Sequence, residues 1–291
     1  SQVGDMDQLA HILAPDAVVI TNIGSCHLEG LGSLQGVARE KCVLLDHVRP
    51  QGLACINADY PLLVAESARH AVREVLFSGA GAQAAYSCSA YSVHGERAFF
   101  DLHTPVDMQQ FEVPAALHVP ENMAAVVSLC MELGLDAAVI EQGLGGYAPV
   151  PQRFVRTQVG SWTFIDDTYN ANPVSMACSI AQADRLAAGQ PLVLVLGDML
   201  ELGAQGQAAH QELGQHIART SCTHCFFSGH HAEDVRAGLH GFSGSFFILR
   251  SAEDILRELA PLHSAHGVML FKGSRGCKME QFYSFLERNW A

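Results

Sequence analysis

The chain has 291 residues, 49% of them hydrophobic, which is enough for a substantial core and suggests one large or two ordinary domains. With 30 acidic residues against 17 Lys and Arg, the net charge is −13. That surface disfavours nucleic acid as a partner, although local amides or cations can still hold one small anionic ligand. No apolar run is long enough for a membrane span, and the opening stretch SQVGDMDQLAHILAPD has neither a basic region nor an apolar core. The expectation is a soluble protein without a secretion signal. Nine cysteines, several inside apolar runs (Cys42, Cys55, Cys130, Cys178), fit the reduced thiols of a cytoplasmic protein better than a disulfide framework.

In chain order, AVVIT at 17–21 reads as a buried strand. It is followed by the polar loop TNIGSCHLE, where His27 is placed to reach a ligand or metal. Helical spacing then puts Val37, Lys41, Leu44 and Val48 on one face, where a lysine either snorkels or is functional. A lysine held near a metal can lose its proton and take up carbon dioxide, and the carbamate so formed is an oxygen ligand for a hard cation. LACI at 53–56 is a second buried strand. The short, partly alternating runs from about 84 to 114 suggest an antiparallel ribbon inserted into the first domain. A helix is expected from Pro120, with Met123, Val126, Val127 and Cys130 apolar.

The Gly- and Pro-rich segment 143–151 reads as a hinge, with a boundary near 148–152, dividing the chain into 1–149 and 150–291. Beyond it, FIDDTYNANPVSM ends a strand in two carboxylates and turns into a helix with Asn172 as N-cap, Pro173 at its start and Met176, Ile180, Ala183 and Ala187 on one face. A capped turn accounts for Asn172 and Pro173 but does not require Asp166, Asp167, Tyr169 and Asn170 together. Strands at 191–197, 224–229, 245–249 and 267–273 alternate with helices at about 205–219, after Ser251, and around Met279, Phe282 and Leu286. This is the pattern of a doubly wound, mostly parallel α/β sheet. The one C-x-x-C, Cys222 to Cys225, has no second pair to complete a zinc site and reads as structural. FKGSRGCKM, at 271–279, sets glycines, amides and cations between a strand and a helix, an arrangement suited to a carboxylate or phosphate.

These clusters, in this order, resemble the Mur ligases, most of all the D-alanyl-D-alanine-adding members. TNIGSCHLEG, GSLQGVAREK, IDDTYNANPVSM, VLGDMLELG and KGSRGCKME carry the resemblance over essentially the whole chain, and IDDTYNANP is the most specific. It implies a P-loop-type central domain, here truncated, followed by a Rossmann-like domain. It also implies an ATP- and Mg2+-dependent, monomeric, cytoplasmic enzyme of peptidoglycan precursor synthesis. Such an enzyme phosphorylates the terminal carboxylate of a UDP-N-acetylmuramoyl-tripeptide, and the amine of D-alanyl-D-alanine then attacks the acyl phosphate.

Carried over motif by motif, His27 is expected as a magnesium ligand and Lys41 as a carbamylated lysine supporting a second magnesium. Asn122 is expected at adenine, Arg153 at ATP and Asp167 at the ribose. Tyr169, Asn170 and Asn172 are expected to shape the dipeptide site, and Lys272, Ser274 and Arg275 to approach substrate carboxylates. The turn at 166–172 and the loop at 272–275 should then share one pocket.

The chain departs from the family pattern in four places. No G-x-x-x-x-G-K-[ST] loop occurs, no glutamate precedes Gly4, Ala115-Ala-Leu replaces a glycine-containing stretch before His118, and Cys277 stands where methionine is common. The expectation is therefore a chain that begins inside the central domain and does not catalyse ligation alone. Two other readings remain open: a Rossmann-like module that binds a nucleotide or amino acid without chemistry, and a sister ligase using another amine.

Overall fold

A computed structural model describes residues 2–24, 28–94, 97–114 and 119–290. The chain divides into two compact units, Ser1–Ala148 and Pro149–Ala291.

In the first unit, six strands lie in sequential order: β1 (Ala17–Ile20), β2 (Leu53–Asn57), β3 (Arg73–Ser78), β4 (Tyr86–His94), β5 (Arg97–His103) and β6 (Met108–Pro114). Pairs β1–β2, β2–β3 and β3–β4 are parallel, whereas β4–β5–β6 are antiparallel. The expected ribbon is thus present, but it is not a separate insertion. Phe77 and Ser78 pair with Tyr86 and Ser87, which makes the ribbon a continuation of the sheet.

The helices of this unit are α1 (Asp5–Leu13), α2 (Leu28–Leu31), α3 (Leu34–Cys42), α4 (Pro61–Ser67), α5 (Pro120–Glu132) and α6 (Ala137–Gly145). Ser33 caps α3 by accepting from Gly36 N. After Cys42 the chain tightens into a 3-10 turn over Val43–His47, so the continuous α-helical face expected from Val37 to Val48 is broken. Pattern analysis missed α1, α2, β3, α4 and α6. The last runs into the glycine-rich hinge segment because Asp136 caps it, accepting from Val139 N, which outweighs the low helical propensity of Gly143 and Gly145.

The second unit is a doubly wound sheet. Its strands are β7 (Val155–Val159), β8 (Trp162–Asp167), β9 (Leu192–Gly197), β10 (Cys222–Ser228), β11 (Ser245–Ile248) and β12 (Gly267–Lys272), in spatial order β11-β10-β9-β12-β8-β7. All neighbours are parallel except β7, which runs antiparallel to β8 at one edge.

The strands alternate between two cores. Leu192, Leu194 and Leu196 face Met176, Ile180 and Ala183 of α7 (Pro173–Ala187), Leu213 and Ile217 of α8 (Gly206–Ile217) and Val235 of α9 (Ala232–Gly238). On the other face, Val193, Val195, Met269 and Phe271 pack with Ile255 and Leu259 of α10 (Ala252–Leu259) and with Phe282 and Leu286 of α11 (Glu280–Asn289). Burying each such side chain contributes about 1.5–3 kcal/mol, so the two apolar layers bear most of the stability. Cys222 and Cys225 lie buried in β10, and burial pushes the Cys222 thiol up to about 12. Burial disfavours the thiolate form of both.

Candidate functional site

In the second unit, β12 sits between β9 and β8. The helix that follows β12 packs on the opposite face from those that follow its two neighbours. A crevice at the carboxyl ends is the consequence of such a topological switch, and three loops meet there, after β8, β9 and β12. Parallel register sets Asp167 beside Lys272.

Lys272 is 2% exposed, and its ammonium donates to Asp167 Oδ2 at 2.6 Å and to the Asn170 carbonyl at 3.0 Å. Burial lowers its pKa, with the Asp167 carboxylate opposing the shift. Asp167 also accepts from Ser179 Oγ at 2.6 Å through Oδ2 and from Phe154 N at 3.2 Å through Oδ1. Ser274 Oγ donates to the Ala171 carbonyl at 3.2 Å and accepts from Leu200 N at 2.8 Å.

The turn at 166–172 and the loop at 272–275 are therefore one hydrogen-bonded body. Glycines permit this closeness: a Cβ on Gly273 would lie 2.6 Å from Met279 Cγ, and one on Gly197 would lie 2.7 Å from Met279 Sδ. Asn172 caps α7 within a capping box, its Oδ1 accepting from Ser175 N at 2.8 Å while Ser175 Oγ accepts from Asn172 N at 3.1 Å. Asp166 accepts from Thr168 Oγ1 at 2.6 Å, and burial raises its pKa.

On this base stand the exposed groups. The Arg153 guanidinium lies 4.0 Å over the Tyr169 ring, whose side chain is open to solvent. Such a cation–π pair holds both groups in place while leaving the guanidinium edge available. Arg275 reaches Gln152 Oε1 and Glu280 Oε1, each at 3.2 Å, and its backbone N donates to Asn170 Oδ1 at 3.4 Å.

The residues expected at this site are thus brought together but divide into two roles. Asp167, Lys272, Ser274 and Asn172 are spent on internal bonds, whereas Arg153, Tyr169, Asn170 and Arg275 face solvent. Lys272, expected at a substrate carboxylate, is held between Asp167 and the Asn170 carbonyl at the base of that surface. Sequence reasoning also missed Gln152, which orients Arg275, and Asp198, whose carboxylate accepts from His230 N at 2.7 Å and His231 N at 3.1 Å. Asp198 directly follows β9, so its position at a strand end was the available signal.

In the first unit a second polar cluster lies at the ends of β1 and β2. Lys41 Nζ donates to the Asn22 carbonyl at 2.8 Å, and Asn57 Nδ2 donates to the Thr21 carbonyl at 2.7 Å. Asp59 gathers Ser78 Oγ at 2.6 Å, Gly79 N at 2.8 Å and Ala80 N at 3.0 Å. Glu121, at the start of α5, has a buried Oε1 with no hydrogen-bond partner among the described residues. Burial raises its pKa, opposed by the side chains of Asn22 and Asn57 and by the Lys41 charge. Glu121 was not anticipated, although it adjoins Asn122, which is exposed on the first turn of α5. His27 lies outside the described residues.

Each α/β unit thus carries a strand-end polar cluster, one with a lysine and a carboxylate, the other with arginines over a capped turn. Residues 1–130 match the Mur ligase middle domain and residues 152–275 match the Mur ligase glutamate ligase domain, and the chain belongs to the Mur ligase family. Among curated relatives, the UDP-N-acetylmuramoyl-tripeptide--D-alanyl-D-alanine ligase of Bacillus subtilis is 29% identical over 97% of this chain and 61% of its own length. The crystal structure of MurF from Acinetobacter baumannii superposes with a TM-score of 0.83 at 28% identity, covering 99% of this chain and 63% of that one. A MurF ligase from Thermotoga maritima in complex with ADP shares the fold, with a TM-score of 0.83 at 24% identity over 100% of this chain and 66% of its own. The chain thus spans less than two thirds of the length of these first two relatives.

Proposed function

We propose that this chain supplies the middle and C-terminal parts, divided at 149/150, of a cytoplasmic, monomeric ligase that uses ATP to join D-alanyl-D-alanine to a UDP-N-acetylmuramoyl-tripeptide. The observation that carries the reading is the bonded junction of the 166–172 turn with the 272–275 loop, which presents Arg153, Tyr169, Asn170 and Arg275 on one rigid base. Among the described residues, no helix is long and apolar enough to cross a membrane.

In the reaction, the tripeptide carboxylate attacks the γ-phosphorus of ATP and ADP leaves. The amine of the dipeptide then adds to the acyl phosphate carbon, and phosphate leaves the tetrahedral intermediate. Arg153 offers a fixed cation for a phosphate, and Asn122 an amide for adenine. Asp167, through its bonds to Lys272 and Phe154 N, holds the edge against which a ribose would lie. Arg275 and Lys272 contribute positive charge for the dipeptide carboxylate, and Tyr169, Asn170 and Asn172 shape its walls, while Ser274 holds the loop. The orphaned carboxylate oxygen of Glu121, near the Lys41 amine and the Asn22 and Asn57 amides, fits a hard, oxygen-seeking cation. Mg2+ held there by Lys41 as its carbamate, and by His27, would neutralise phosphate charge.

Calorimetric titration of the chain tests the reading. D-Alanyl-D-alanine is expected to bind better than single amino acids, and Arg275→Ala to abolish the preference. Equal binding of all amines would overturn it. Phosphate release from ATP with both substrates is expected at background, because the chain carries no Walker lysine for the β- and γ-phosphates.

A further inference from the structure

The first unit carries a cluster of metal-binding side chains distinct from the residues discussed above. Asp7 and His11 lie one turn apart on α1, and His47 ends the 3-10 turn after α3. Helical i,i+4 spacing puts the first two side chains on one face. Both imidazoles converge on a single carboxylate oxygen. His47 Nε2 lies 2.9 Å from Asp7 Oδ1, and His11 Nδ1 lies 4.0 Å from it. The rings are 4.7 Å apart, and all three donor atoms fall within 4.8 Å of one another.

The backbone beneath is anchored. Gly4 N and Met6 N donate to the buried Glu40 carboxylate at 3.0 Å and 2.9 Å, and Ala10 is fully buried on the inner side of α1. One carboxylate between two imidazoles is a poor ion pair when both rings are protonated, since the rings then repel each other. When both are neutral, the set offers one carboxylate oxygen and two ring nitrogens within 4.8 Å of one another.

We infer that Asp7, His11 and His47 form a binding site for a divalent transition-metal ion. Two imidazoles and one carboxylate suit Zn2+, Ni2+, Co2+ or Cu2+, whereas Mg2+ and Ca2+ seek more oxygen donors than this set offers. Bonds of about 2.0–2.2 Å set donor separations at about 2.8–3.6 Å, from octahedral to tetrahedral, and the Asp7–His47 pair at 2.9 Å lies within that range. His11, at 4.0 Å and 72% exposed, would have to close the remaining gap by side-chain rotation when a metal binds. Three protein ligands leave the outer coordination positions to water. The bound ion would tie α1 to the Val43–His47 turn, and the acidic chain would raise the local cation concentration.

The experiment is a Zn2+ titration of the 291-residue chain against a chromophoric chelator, with zinc-edge X-ray absorption of the complex and thermal unfolding with and without Zn2+. Expected are one site per chain, a shell of nitrogen and oxygen including two imidazoles and no sulfur, and a rise in Tm reversed by EDTA. His11→Ala and His47→Ala should each weaken binding at least about tenfold and remove the Tm rise, as expected for losing one of three ligands. His103→Ala, a change at an exposed strand position, should not. Circular dichroism of the metal-free variants checks folding, and Asp7→Asn, which keeps the side-chain shape, provides a second probe of the same ligand set. Unchanged Zn2+ affinity in the His11→Ala/His47→Ala double variant, or sulfur in the metal shell, would sink the assignment.

Discussion

The two units place polar clusters at equivalent positions, the carboxyl ends of parallel strands, yet they complete them differently. In the second unit the buried carboxylate of Asp167 is saturated by Lys272, Ser179 and Phe154 N. In the first, a buried oxygen of Glu121 has no partner among the described residues, and Lys41 donates to a backbone carbonyl instead. A satisfied buried ion pair works as scaffold and pushes recognition outward, here onto Arg153, Tyr169 and Arg275. A carboxylate with one buried, unpartnered oxygen marks a place where the electrostatics are incomplete, as sites for cations do.

Three substitutions can break or sharpen this contrast. The largest effect is expected from Lys272→Ala, which leaves Asp167 charged, buried and unpaired. Urea unfolding should show a loss of about 3–5 kcal/mol. A loss under about 1 kcal/mol would mean that Asp167 is not held by this lysine.

Glu121→Gln should act in the opposite sense, raising stability near neutral pH by about 1 kcal/mol, the low end of the cost of burying an unpaired polar group. The sign follows from the raised pKa of Glu121. The stability it contributes is fully present below the ordinary carboxylate value of 4.5 and is lost as pH rises through the raised one. The wild-type protein should therefore lose this increment between those two pH values, while Glu121→Gln loses none of it.

Smallest in stability is Arg153→Ala, which removes only an exposed cation–π contact worth about 0.5–1 kcal/mol. Its consequence should appear in nucleotide binding instead. Equal ATP affinity in wild type and variant would remove Arg153 from the site.

How much of this was legible in advance depended on how local the cause was. The capped helix after Asn172 was legible because its signal, an Asn followed by Pro, lies within two residues. The alternation of β9, β10 and β12 with α7, α8 and α10 was legible from runs of apolar residues. The edge strand β7 was not, since Val155–Val159 alternates exposed and half-buried positions and draws its order from pairing with β8. Lys272 shows the limit at the site. Its motif suggested an available cation, and only the register with β8 revealed the internal partner.

By itself the sequence determined the class of fold, the alternation of strands and helices in the second unit and the family, because hydrophobic period, capping residues and short motifs are properties of neighbouring residues. Tertiary structure decided which polar side chains serve the scaffold and which face solvent. It also decided that the 84–114 ribbon extends a sheet and that Asp7, His11 and His47 meet. Those outcomes depend on strand register and on contacts between residues distant in the chain, which no local pattern encodes.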